Sequence, residues 1–325
     1  MTGTIDPQMA ASLAKLAEIE RAHKRPDKPT LDDARRFAFL HSRWFNDDAP
    51  VLNEVRADMV PLGPAGPTAR DVSVRLYLPN HVRPAPALIY FHGGGWFNGS
   101  NDTHDRAMRL MAQESGCAVV GVDYALAPEH RFPKPVLEAA ATLEWLAKHG
   151  DRLGLDRDRL AVGGCSAGAN IALAALLELS PRARGCYRAA TLYYGSYTGR
   201  EDTESVRLFG GGEYGITNKD LLLCWRLYLG DESRKRDPRA TPINADLRGL
   251  PFVFLAAAGL DPLRDDSIML AERLRDAGVA HRLNIYDGLC HSFLWHTRMV
   301  DRARAAIADA AAVLQTHLLR DQRAA

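Results

Sequence analysis

The chain has 325 residues, with 41 basic against 40 acidic side chains and a formal net charge of +1, which excludes a polybasic nucleic-acid or membrane-surface binder on bulk electrostatics. A hydrophobic fraction of 46% beside 25% charged residues is that of a globular protein with a sizeable core, not of a disordered or collagen-like chain. Length alone would allow two domains, but α/β folds of this size commonly form one unit, and a single domain over residues 1–325 is expected.

Met9, Leu13, Leu16 and Ala17 recur at helical spacing ahead of Pro26, and residues 31–44 offer a second helical stretch. The opening segment has no basic region followed by an apolar run, no stretch nears the roughly 20 apolar residues that cross a bilayer, and neither end carries a lipidation signal. These features argue against secretion and anchoring. Five cysteines, at 117, 165, 186, 224 and 290, form neither a CxxC pair nor a disulfide framework, so a reducing, cytoplasmic location is expected.

Residues 71–78 alternate, with Val72, Val74, Leu76 and Leu78 set against Ser73, Arg75 and Tyr77. That period suits a strand with one wetter face, toward a sheet edge. Short, nearly continuous apolar runs follow at 87–91, 118–122, 160–163, 190–194, 252–257 and 283–286, as in strands buried on both faces. Helical candidates lie between and after them at 103–114, 136–149, 167–179, 263–277 and 297–319. Strand alternating with helix predicts an α/β fold, a mostly parallel sheet with helices on both faces. Residues 196–237 break the rhythm: they are polar and Gly-rich, then helix-like over 219–229, then charged. A helical cap is expected from 1–50 and 196–237, over a core of 51–195 and 238–325.

Gly164-Cys165-Ser166-Ala167-Gly168 fits G-x-S-x-G between an apolar run and a helix candidate, the strand–turn–helix context that a nucleophilic serine requires. The alternative is a small-residue turn with an incidental serine. His92-Gly93-Gly94-Gly95 follows the run 87–91, and such a loop offers backbone N–H groups to a developing oxyanion with no Cβ in the way. Asp261 and His291 then fall just past the runs 252–257 and 283–286, giving the order serine, acid, histidine. The ends of parallel strands meet at one edge of such a sheet, where ligands bind. Asp265 and Asp266 are rival acids, but they fall within the next helix pattern. GGGEYG at 210–215 formally matches G-x-G-x-x-G, yet no buried strand precedes it, so it reads as a cap loop rather than a dinucleotide site. His291, His296 and Cys290 lack the spacing of a metal site. His104, His130, His149, His281 and His296 read as surface or structural.

These residues resemble the hormone-sensitive-lipase-like branch of α/β-hydrolases, whose bacterial members are carboxylesterases and acetyl esterases. The matching stretches are HGGGW at 92–96, VDYALAPEHRFP at 122–133, GCSAGAN at 164–170, GLDPLRDD at 259–266, and His291-Ser292-Phe293. The resemblance implies a serine esterase acting on short acyl chains. Ser166 would be its nucleophile, His291 its base and Asp261 the orienting acid. The oxyanion hole would come from Ala167 and the turn of Gly93, Gly94 and Gly95, and Trp96 and Tyr194 would line the pocket. No cofactor is implied. The expected partner is a small-molecule ester, with no nucleic acid and no membrane, and with a homodimer left open. The chain departs from the family at Cys165, Ala169 and Ala125, where Asp, Gly and Arg are usual. Cys165 beside the serine and Cys290 beside the histidine invite a redox reading if they lie close together, against the alternative of two small buried thiols. Rival functions are an amidase or lactonase on the same triad, or a catalytically silent receptor like the plant gibberellin receptors, which lack the histidine that this chain keeps.

Overall fold

The computed structural model describes residues 3–23, 26 and 30–319. Its eight strands are β1 (Glu54–Val60), β2 (Val72–Leu78), β3 (Ala85–Phe91), β4 (Ala118–Val122), β5 (Leu155–Cys165), β6 (Tyr187–Tyr193), β7 (Phe252–Leu260) and β8 (His281–Cys290). They form one sheet in the order β1-β2-β4-β3-β5-β6-β7-β8. Only β2 runs against its neighbours, and β3 to β8 are parallel. The helices are α1 (Pro7–Ala22), α2 (Leu31–Asn46), α3 (Asp105–Ser115), α4 (Lys134–His149), α5 (Ala167–Glu178), α6 (Pro181–Arg184), α7 (Glu204–Phe209), α8 (Asn218–Leu229), α9 (Arg264–Asp276) and α10 (Asp301–Leu314).

Each strand sends alternate side chains to opposite faces. Ile89 and Phe91 join a core completed by α4, α5 and α9, while Leu88 and Tyr90 join one completed by α3 and α10. Helix α5 reads AGANIALAALLE and is buried along nearly its whole length, as befits a helix that is apolar all round. Local signals fix where the outer helices begin. The Asp6 carboxylate accepts from the Gln8 and Met9 amides at 2.8 and 3.2 Å ahead of Pro7, and capping boxes open α2 at Thr30–Asp33 and α8 at Thr217–Asp220. Each such cap contributes about 1 kcal/mol.

Strand β1 has no counterpart among the runs read from the sequence. Glu54, Arg56 and Asp58 interrupt its apolar residues, and it pairs with β2 only, at the sheet edge. The strand over 72–78 is therefore second from that edge. Its wetter face is drier than the alternation suggests, because Tyr77 is buried under α3 and donates to Asp105 at 3.0 Å.

The order of the strands decides between the two readings of Cys165 and Cys290. Cys165 ends β5 and Cys290 ends β8, with β6 and β7 between them. Three strand spacings amount to about 14 Å, too far for a disulfide. Both thiols are buried, and burial raises their pKa, that of Cys290 to about 12. They are inert fillers rather than a redox pair. Among the described residues, no helix is long and apolar enough to cross a membrane.

Candidate active site

Ser166 occupies the one-residue turn between β5 and α5, at φ 53° and ψ −123°. A non-glycine residue at positive φ is strained, and its surroundings hold it there. Its amide donates to Tyr193 O at 2.9 Å. A Cβ on Gly164 would sit 2.5 Å from the Gly168 carbonyl carbon and 2.7 Å from Phe91 O, and one on Gly168 would sit 2.6 Å from the Phe91 carbonyl carbon. Strand, turn and helix thus approach more closely than any side chain allows, which is why the motif has glycine at both ends.

The Ser166 hydroxyl lies 2.9 Å from His291 Nε2, and His291 Nδ1 lies 2.8 Å from Asp261 Oδ2. The other oxygen, Asp261 Oδ1, accepts from the Leu263 amide at 2.8 Å. An ionised carboxylate only accepts, so the imidazole carries its proton on Nδ1 and leaves Nε2 free to receive one from the serine. Asp261 is fully buried and the His291 side chain is only 6% exposed, so little water competes for these bonds. The rival acids are engaged elsewhere. Asp266 accepts from the Tyr197 amide and from the amide and hydroxyl of Thr198 at 2.6, 3.0 and 2.7 Å, and burial pushes its pKa up to about 6. Asp265 accepts from the Ser205 amide at 2.8 Å. Together they tie the segment after β6 to α9.

Gly93 faces the serine: a Cβ there would lie 3.1 Å from Cys165 O and 3.3 Å from Ser166 Cβ. Gly94, Gly95 and Trp96 follow with φ of 124°, 60° and 63°, a run of positive angles that turns the chain sharply past the end of β3. The amides of Phe97 and Asn98 both donate to Gly94 O, at 3.2 and 2.9 Å. The Gly94 and Gly95 amides make no hydrogen bond among the described residues, and Ala167 opens α5, where an amide has no partner in its own helix. Two loose amides and a helix N-terminus beside a hydroxyl are suited to hold negative charge. His92 is scaffolding: its ring stacks on Tyr124 at 4.6 Å, its Nδ1 donates to Gly93 O at 2.8 Å, and burial lowers its pKa.

Two cavities meet at Ser166 and His291. The larger, about 610 Å³, is bounded by Leu13, Leu16 and Ala17 of α1, Ala38 of α2 and residues 212–216. The smaller, about 200 Å³, is walled by Trp96, Phe97, Leu221, Cys224 and Leu263. Trp96 therefore does reach a cavity, stacked on Tyr228 at 4.5 Å. Tyr194 lines neither one; its ring packs edge-on against His291 at 5.1 Å and supports the imidazole from behind.

His104 and His296, read above as surface or structural, are buried in the wall of the larger cavity. Their role there is structural. His104 Nε2 accepts from the Trp295 indole at 3.2 Å, and His296 Nδ1 lies 2.8 Å from the Ser12 hydroxyl of α1. Sequence spacing gave no sign of either contact, since they join residues 191 and 284 positions apart. Burial lowers the pKa of His104 to about 3 and that of His296 to about 4. A depressed histidine contributes stability above its unfolded pKa of 6.5, and that stability is lost as the pH falls toward 4, at up to about 1.4 kcal/mol per unit. Wild type should therefore lose more in melting temperature between pH 7 and pH 5 than His296→Gln, whose side chain does not titrate. Equal slopes in thermal melts would contradict this.

Comparison with known proteins places this geometry in a family. The family described as the alpha/beta hydrolase fold matches residues 88–295. Acetyl esterases of Salmonella paratyphi B (strain ATCC BAA-1250 / SPB7) and Salmonella agona (strain SL483) are each 38% identical over 289 residues, covering 88% of this chain and 87% of theirs. Among solved structures, a hyperthermophilic esterase from the archaeon Pyrobaculum calidifontis superposes with a TM-score of 0.87 at 31% identity, covering 96% of this chain and 98% of that one. A thermostable carboxylesterase cloned from a metagenomic library gives 0.84 at 32% identity, covering 89% and 98%. The chain belongs to the α/β-hydrolase fold family, in its hormone-sensitive-lipase-like branch, and is a carboxylic ester hydrolase.

Proposed function

We propose that the protein hydrolyses short-chain acyl esters through an acyl-enzyme on Ser166. The observation that carries this reading is the unbroken run of contacts from the Ser166 hydroxyl through His291 to buried Asp261, at 2.9 and 2.8 Å, opening on two cavities. As Ser166 Oγ attacks the ester carbonyl, its proton passes to His291 Nε2, and Asp261 stabilises the imidazolium that forms. The amides of Gly94, Gly95 and Ala167, with Gly93 keeping the approach clear, receive the oxyanion. His291 then protonates the departing alcohol, and the same base activates water to release the acid and restore the serine. A catalytically silent receptor would have no use for this bonded histidine.

The cavity of about 200 Å³ takes the acyl chain and that of about 610 Å³ the alcohol. The first is smaller than the roughly 300–1,000 Å³ of common ligand pockets, which supports an acyl limit of a few carbons. Residues from both 1–50 and 196–237 border the larger space, which supports reading those segments as a cap over a core of 51–195 and 238–325. A series of p-nitrophenyl esters tests the assignment. The value of kcat/KM should peak between acetate and butyrate and fall by more than about tenfold at octanoate. A profile that rises with chain length would overturn the acyl assignment, and no turnover of any ester would overturn the whole reading.

A further inference from the structure

We propose that Arg35, on α2, is a positioning residue for the oxyanion loop, so that the N-terminal helices brace the catalytic centre as well as bordering its cavity. Its guanidinium makes four bonds at once. Nε donates to Phe97 O at 2.9 Å and one terminal nitrogen donates to Ala127 O at 3.0 Å, while the two terminal nitrogens grip both oxygens of Glu129 at 2.8 Å. Phe97 belongs to the turn that follows Gly94 and Gly95 and closes on Gly94 O. The Ala127 amide reaches into the same turn, donating to Trp96 O at 2.8 Å. Asn98 adds a weaker tie, from its side-chain amide to Ala34 O of α2 at 3.4 Å.

The loop needs such a brace. Gly94, Gly95 and Trp96 are three successive residues at positive φ, and Trp96, at 63°, has a side chain. A conformation of this kind persists only where the surroundings over-determine it. Arg35 ties the turn and the 127–129 segment together from outside, and its planar fork meets four acceptor atoms, one more than the three N–H donors of a lysine ammonium can serve. Without it, the Gly94 and Gly95 amides lose their fixed aim, and donors that must reorganise during the reaction stabilise charge poorly.

The inference rests on the oxyanion reading above, and the test separates the two. For wild type, Arg35→Ala, Arg35→Lys and Glu129→Gln, kcat and KM for p-nitrophenyl acetate are measured per active site, counted by fluorophosphonate titration. Inhibition by an aliphatic trifluoromethyl ketone, whose adduct carries an oxyanion, is measured beside them. Arg35→Ala should lower kcat about tenfold and weaken the ketone by a similar factor, with KM within threefold of wild type. Arg35→Lys should lie nearer to Arg35→Ala than to wild type. Glu129→Gln, which keeps the bonds to Phe97 and Ala127, should lose only about two- to threefold. If Arg35→Ala does not fold, Arg35→Lys decides by the same readouts. Variants within twofold of wild type in kcat and ketone affinity, or a fall in kcat with ketone affinity unchanged, overturn the role of Arg35. A wild-type enzyme that hydrolyses the ester but does not bind the ketone overturns the oxyanion reading instead.

Discussion

Ser166→Ala should remove ester hydrolysis almost entirely, with a loss in kcat on the order of 10⁶-fold. The substitution deletes one atom, the Oγ that lies 2.9 Å from His291 Nε2. Alanine adopts the same strained backbone that serine does, and the amide bond to Tyr193 O is untouched. The fold should therefore survive with its melting temperature nearly unchanged, and KM should shift little, because the cavity walls remain. What is left is rate enhancement from the oxyanion donors and from binding alone, which in serine hydrolases amounts to about 10³–10⁴ over water. Progress curves with p-nitrophenyl acetate at high enzyme concentration measure the residue directly. A variant that kept even a tenth of wild-type turnover would remove the nucleophile from Ser166.

Asp261→Asn should cost about 10⁴-fold in kcat without a comparable change in KM. Asn is almost the same size, so the buried site still fills. Its amide can donate, however, and an amide facing His291 Nδ1 at 2.8 Å stabilises the tautomer with the proton on Nε2. That proton points at the serine, so the imidazole can no longer accept from Oγ. The imidazolium formed during attack also loses its buried counter-charge. The same kinetic assay on purified Asp261→Asn, with circular dichroism to confirm folding, checks the size of the loss. A loss below tenfold would show that Asp261 does not set the imidazole's tautomer.

The parallel centre of the sheet was legible because strands buried on both faces leave uninterrupted apolar runs, as at Leu88 to Phe91 and Ala118 to Val122. Strand β1 was not, since an edge strand can keep Glu54, Arg56 and Asp58 without burying a charge. Strand β5 was read short for a related reason: its first half, Leu155 to Arg159, is polar and pairs with β3 only through Leu155. At the site, glycines, serine, acid and histidine were legible from motif and chain order, because parallel strands deliver their ends to one edge. Side chains that act across the fold leave no spacing to read. Arg35 meets Glu129 94 positions away, and the packing of Tyr194 behind His291, outside both cavities, depends on how β6 ends rather than on any neighbour in sequence.

The most direct measurement is the mass of the protein after reaction with a fluorophosphonate, which transfers one phosphonyl group to an activated serine. Wild type should gain a single phosphonyl group, peptide mapping should place it on Ser166, and esterase activity should disappear in step with labelling. A stoichiometric label on another residue, or full activity in protein labelled at Ser166, would contradict the account.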